Sequence, residues 1–529
     1  MQKRCILILA ASVSLSPRLL AQEVKPQPDG ETILGPAKPA DRVSWLESMK
    51  AWREHERARL HYSGDQYARP ALEWGQRSFI QPQMMVEDRF FYDPVAARYT
   101  VERYLADLNE RYGGIDSVLI WPVYPNIGID SRSHHDLLHD LPGGLEGVRE
   151  MVAEFHHHKV RVLFPVMPWD TGTHRLDVAF WDAALRDMQA IGADGINGDT
   201  YNGIPREFLT SSQNNAYPLV LEPENHLGHD EMLWFNTMSW GYWKYQPQPV
   251  ISKYKWLEPR HMVNVCERWA QDRTDGLQSA FFNGVGYESW ENVWGIWNQI
   301  TPRDAAALRR ISLIYRAVPE LLTSPQWEPH VVTLQDAVFA SKFPGNTQTL
   351  WLFVNRGRNN VQGRQLAVPS DAKARYYDLW NGVELRPEIS EEKVVLSFPL
   401  ESRGFVAVLA DFSGQTPASI QALLSESAKL AKTPLGGLST KHRVLTQRLA
   451  DIPATPIAAS APEGMVAIPA GKFRFKVSGV EIEGGDAPGV DVQYPWEAFP
   501  QRHHDHALDV KAFFIDRFPV TNSQFQKFV

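Results

Sequence analysis

Between residues 79 and 322 the chain alternates apolar, strand-like runs with amphipathic, helix-like stretches, and this alternation decides the fold class. Apolar runs at 79–86, 115–121, 160–166, 193–199 and 218–221 read as buried strands, with weaker candidates at 233–236, 262–265 and 278–282. Helical spacing recurs at 94–112, 145–158, 176–191 and 302–322. In the second of these, Leu145, Val148, Val152 and Phe155 fall three to four residues apart. Repeated strand–helix pairs predict a parallel sheet, since each crossover returns the chain in the same direction. Their number and span predict a (β/α)8 TIM barrel. No Gly-rich phosphate loop follows the first strand, which disfavours a doubly wound nucleotide-binding sheet.

The flanking regions have other periods. Residues 1–21 carry Lys3 and Arg4, an apolar run too short to span a bilayer, and Leu19-Leu20-Ala21. This order predicts a signal peptide cleaved after Ala21 and a secreted or periplasmic protein. Residues 22–73 form a polar lead and a helix, expected at 43–60. The barrel covers 74–323. Short strands separated by Asn, Gly and Pro turns follow at 324–412 and predict a small all-β sandwich. Residues 413–462, rich in Ala, Ser, Thr, Pro and Lys, read as a linker. After cleavage Cys266 is the sole cysteine, so no intrachain disulfide or Cys-rich metal site is expected, and no cofactor. A net charge of −8 without a Lys/Arg-rich tract gives no footprint for nucleic acid. No membrane span is expected after cleavage, and the oligomeric state is open.

In such a barrel the active site lies at the C-terminal ends of the strands, so acids there carry the chemical argument. Asn197 and Asp199 share one face of the fourth strand, and Asp199 falls where it gives way to a loop. The fifth strand runs into Glu222-Pro223-Glu224, and either Glu222 or Glu224 can complete a pair with Asp199. Two neighbouring carboxylates suit glycoside cleavage, one acting on the anomeric carbon and the other protonating the leaving oxygen. Of 18 Trp, 11 fall between Trp121 and Trp297. Trp121, Trp169 and Trp290 are placed to stack on sugar rings, and Asp170, Asn197, Glu288 and Glu291 to bind hydroxyls. Glu288 and Glu291 have a second reading, as acids opening a helix near Trp290. His134, His135 and His139 sit in a polar loop, while His156-His157-His158 reads as a solvated face.

A barrel with acids ending its fourth and fifth strands, followed by a sandwich, resembles glycoside hydrolases over residues 75–411. Tyr377-Asp378-Leu379-Trp380-Asn381-Gly382 and Arg403-Gly404-Phe405-Val406-Ala407-Val408-Leu409 are similar to the late strands of their sandwich. Likeness to the α-galactosidase and α-glucosidase clan implies Asp199 as nucleophile. Likeness to the α-amylase group implies Asp199 as nucleophile and Glu222 or Glu224 as acid/base. Asn197-Gly198-Asp199 stands where the α-amylase group has Arg-x-Asp.

A second resemblance lies at 463–529. Gly464-Met465-Val466-Ala467-Ile468-Pro469-Ala470-Gly471 and Ala512-Phe513-Phe514-Ile515-Asp516-Arg517-Phe518-Pro519-Val520-Thr521-Asn522 resemble the opening of sulfatase-modifying factor (formylglycine-generating enzyme-like) domains. The resemblance implies an incomplete α+β domain without that family's catalytic cysteines, as in a fragment of a longer protein. Three functions follow as expectations. The first is a secreted glycosidase with a carbohydrate substrate. The others are an oxidase of the formylglycine-generating family and a non-catalytic glycan-binding barrel.

Overall fold

The computed structural model describes residues 30–122, 131–173, 176–266, 272–293, 296–390, 392–414, 416–441, 443–444, 455–477, 504–525 and 527. The signal peptide expected at 1–21 lies outside these residues.

Eight parallel strands form the barrel: β1 (Ile80–Met85), β2 (Ser117–Trp121), β3 (Arg161–Val166), β4 (Gly195–Gly198), β5 (Val220–Pro223), β6 (Met238–Gly241), β7 (Met262–Val265) and β8 (Gly286–Ser289). Their order is 5-4-3-2-1-8-7-6, and every hydrogen-bonded pairing is parallel. β5 and β6 lie side by side at the seam without a ladder bond. All eight strands are buried almost throughout, so none shows the alternating exposure of a half-solvated strand.

The helices that matter for the site are α1 (Arg42–Arg59), α2 (Val101–Tyr112), α3 (His134–Asp140), α4 (Gly144–His157), α5 (Phe180–Ile191), α6 (Arg206–Asn214), α7 (Thr274–Asn283) and α8 (Pro302–Ala317). α8 starts at a Thr301 cap whose side chain accepts from the Asp304 amide, with Pro302 at the first helical position. Two buried clusters matter most for the site. One fills the space between barrel and helices and runs on into the sandwich that follows. The other, made of Met85, Leu119, Trp121, Leu163, Met167, Trp240, Cys266 and Trp290, plugs the barrel itself.

The first five strands and the seventh fall where the sequence places them. Residues 233–236 do not form the sixth strand. They fall at the end of, and just beyond, a short 3-10 turn (Asp230–Trp234), and β6 begins at Met238. Residues 278–282 belong to α7, and β8 follows at 286. α7 buries Leu277, Gln278, Ala280, Phe281 and Phe282, so its pattern shows no polar face to mark it as a helix. No helix opens at Trp290: short strands Asn292–Val293 and Ile296–Gln299 pair there as a hairpin.

The sandwich consists of a six-stranded and a three-stranded antiparallel sheet within 328–411. Thr32–Ile33 pairs with Ile251–Ser252, which stitches the N-terminal lead to the barrel. The stretch read as linker contains a helix, α9 (Ala418–Leu430), that docks on α8 with Ile420 and Leu423 buried, and Arg310 donates to the Leu430 and Thr433 carbonyls. Near the C-terminus, Met465–Ile468 pairs with Phe513–Asp516 and Gly471–Val477 with His504–Val510. Among the described residues no helix is long and apolar enough to cross a membrane.

Candidate active site

The register of β4 and β5 builds the site in two levels. Asn197 stands opposite Glu222 and Gly198 opposite Pro223. One step further the Glu224 amide donates to the Gly198 carbonyl at 3.0 Å, which brings Glu224 beside Asp199. Side chains alternate along a strand, so the Asn197/Glu222 level lies directly below the Asp199/Glu224 level. All four are buried, with Asp199 5% and Glu224 7% exposed against 0% for Asn197 and Glu222. Gly198 is required here. A Cβ would stand 2.6 Å from Ile204 and 2.9 Å from Tyr201, which turn in beneath the strand end.

In the lower level Glu222 accepts from Gln81 Nε2 at 2.7 Å, Asn264 Nδ2 at 2.8 Å and Asn197 Nδ2 at 3.3 Å. Gln81 is itself held, accepting from Ser117 Oγ at 2.7 Å. Burial raises the Glu222 pKa and these amide donors act against it. Glu288 on β8 shares this interior, in register with Gln81 and fully buried. Among the described residues neither of its oxygens accepts a well-formed hydrogen bond. Burial, then the charge of Glu222, push its pKa well above the carboxylate range, with the nearby Gln81 amide a small offset. Glu288 therefore keeps its proton to a higher pH than an ordinary glutamate does.

In the upper level the Thr200 amide donates to Glu224 Oε2 at 2.8 Å and the Tyr242 hydroxyl donates to Oε1 at 3.0 Å. Thr200 takes a left-handed backbone (φ 62°), which a β-branched residue adopts at a cost of about 1–3 kcal/mol. That conformation directs the amide next to Asp199 at the acid one strand away. Asn225 Nδ2 ties the same turn down by donating to the Thr200 carbonyl at 3.1 Å.

The remaining residues singled out from the sequence divide. Trp169, after β3, is 39% exposed. Asp170 is buried beside it, and its backbone carbonyl accepts from the His134 amide at 3.2 Å. Trp121 and Trp290 belong to the inner core, with Trp290 5.2 Å from Trp240, so neither is an exposed platform. Glu291 is taken up by Arg111 (2.6 and 2.8 Å) and the Ile300 amide (2.7 Å), which ties the loop after β8 to α2. His135 and His139 both bond Asp187, and burial holds His134 neutral with a pKa near about 3. His156 bonds Asp194 at 2.6 Å. Among the described residues the one group with metal-ligand spacing is Glu102, Glu154 and His158, on the outer surface of α2 and α4.

Four residues of the site escape the sequence reading: Gln81, Thr200, Tyr242 and Asn264. Asn264 does leave a signal, as an amide inside a strand that is otherwise apolar, and Gln81 is one of two amides in fully buried β1. Tyr242 follows β6, whose position the sequence misplaces.

Residues 453–529 match the family model described as Sulfatase-modifying factor enzyme 1-like domain. No curated protein matches the chain. Similar solved structures include an α-amylase from Anoxybacillus (12% identity, TM-score 0.46, 65% of this chain and 99% of that one). An α-amylase from Lactobacillus plantarum gives 12%, 0.42, 64% and 99%. A GH27 β-L-arabinopyranosidase from Geobacillus stearothermophilus gives 10%, 0.42, 66% and 99%. Each is a likeness in the course of the chain.

Proposed function

We propose that the protein is a glycoside hydrolase, exported to the periplasm or beyond, in which Asp199 acts on the anomeric carbon and Glu224 protonates the leaving oxygen. The observation that carries this reading is the pairing of Asp199 and Glu224 at the ends of β4 and β5, each nearly but not wholly buried. A carboxylate pair so placed meets the need of glycosyl transfer for one acid on each side of the scissile bond. Glu222, the other candidate from the sequence, has no exposure and both its oxygens already accept from amides. Trp169 offers a sugar platform beside the pair's end of the barrel.

The oxidase reading has less support. The one free cysteine among the described residues, Cys266, is sealed inside the barrel and does not belong to the 453–529 match. The test is hydrolysis of a panel of aryl glycosides and of plant, algal and host glycans by the full chain. Asp199→Asn and Glu224→Gln copies run alongside. Each substitution is expected to lower kcat by about three or more powers of ten, as loss of a principal catalytic group does. Equal hydrolysis by the variants removes the pair from the mechanism. Binding without turnover by the folded wild type favours a glycan-binding barrel.

A further inference from the structure

Two donors of different kinds bond Glu224, one at each oxygen. At Oε2 the partner is the Thr200 backbone amide, which donates and cannot accept. At Oε1 the partner is the Tyr242 hydroxyl, which does both. An N–H donor binds a carbonyl oxygen better than a hydroxyl oxygen, so the Thr200 amide at Oε2 favours the proton on Oε1. A proton on Oε1 can be accepted by the phenol oxygen, and once it leaves, the phenol donates back to the carboxylate. Tyr242 is 37% exposed, so its hydroxyl stands at the edge of the mouth, while its ring rests edge-on against the sealed Trp240 at 6.1 Å.

We propose that Tyr242 is a positioning residue that fixes Oε1 of Glu224 as the oxygen that carries and delivers the catalytic proton. This rests on the glycosidase reading above. In the first step a bond forms between an Asp199 oxygen and the anomeric carbon as the bond to the leaving oxygen breaks. The leaving oxygen keeps that electron pair and takes the proton from Oε1. In the second step Oε1 takes a proton from water as the water oxygen displaces Asp199. Through both steps Thr200 holds Oε2 and Tyr242 stays bonded to Oε1.

The test is Tyr242→Phe, which removes the hydroxyl and keeps the ring. Its kcat/KM is measured on the methyl and 2,4-dinitrophenyl glycosides of one sugar that the wild type hydrolyses. Methoxide needs a proton to depart and dinitrophenolate does not, so a misdirected acid harms the first substrate more. The expected result is a loss on the methyl glycoside at least about tenfold larger than on the dinitrophenyl glycoside. Both rates come from one preparation, so their ratio is independent of the fraction folded. Equal losses assign Tyr242 a purely structural role and overturn the proposal, as does an unchanged ratio with no loss. Glu224→Gln serves as reference and should show the same asymmetry, larger. A wild type that hydrolyses neither type of glycoside, for any sugar, overturns the glycosidase reading itself, a result separate from either of these.

Discussion

Glu222 and Glu288 share the sealed interior of the barrel, and three amide donors converge on Glu222 while Glu288 is left to hold a proton. Ordinary glutamate titrates near about 4.3, so below that pH Glu288 is protonated folded or unfolded and its contribution is intact. Above it the unfolded chain ionises and the folded one does not, so stability falls as pH rises, by about 1.4 kcal/mol per unit, until the folded pKa is reached. Glu288→Gln is isosteric with the neutral acid and lacks that slope. Urea midpoints at about pH 5 and about pH 8 should show the variant gaining on the wild type with pH. Parallel curves would mean that Glu288 is ionised in the fold.

The two-level arrangement separates Glu222 from Glu224. Glu222→Leu leaves the Gln81, Asn197 and Asn264 amides without their acceptor, each at a cost of about 1–3 kcal/mol. The variant should melt far below the wild type or fail to fold. Glu224→Gln, at the mouth, should melt close to the wild type and lose turnover. Thermal melts and kinetics on the same samples decide it. A Glu222→Gln protein of native stability that has lost turnover as completely as Glu224→Gln would reverse the roles.

Much of this site is legible along the chain because its core is local. Asp199 stands two residues past Asn197 on a buried strand, and Glu222 and Glu224 repeat that spacing on the next. Their shared face follows from strand period alone. What the sequence hides is long-range. The partner of Glu291, Arg111, is 180 residues away, so an acid bound in an ion pair reads the same as one awaiting substrate. Trp121 and Trp290 look like platforms because nothing local distinguishes a ring in a barrel plug from one at its mouth. β6 is four residues long and offers no alternation to detect, and its misplacement conceals Tyr242.

Two tryptophans should therefore respond in opposite ways. Trp169→Ala removes a partly exposed ring, so the fold should persist while KM for an oligosaccharide rises about tenfold, equivalent to about 1.4 kcal/mol of lost stacking. Trp290→Ala opens a cavity in the barrel plug and should cost about 3–5 kcal/mol of stability. The comparison needs a melting curve and a KM for each. An unchanged KM in Trp169→Ala would take that ring out of the binding surface.

The Arg111–Glu291 pair gives a last test, since it decides whether Glu291 serves the fold or the substrate. Glu291 is 4% exposed and accepts two bonds from the guanidinium, one from the Ile300 amide and a long one (3.5 Å) from the Tyr112 hydroxyl. Arg111→Ala leaves that carboxylate buried and without its main partner, a situation that costs about 3–5 kcal/mol, because a desolvated charge has lost what compensated it. Replacing both members by apolar residues of similar size, as in Arg111→Met with Glu291→Leu, removes the stranded charge and should recover most of the loss. Urea denaturation of the single and double variants measures the coupling directly. If Glu291→Leu alone keeps wild-type stability yet raises KM, the carboxylate meets substrate and the ion pair gives way when glycan binds.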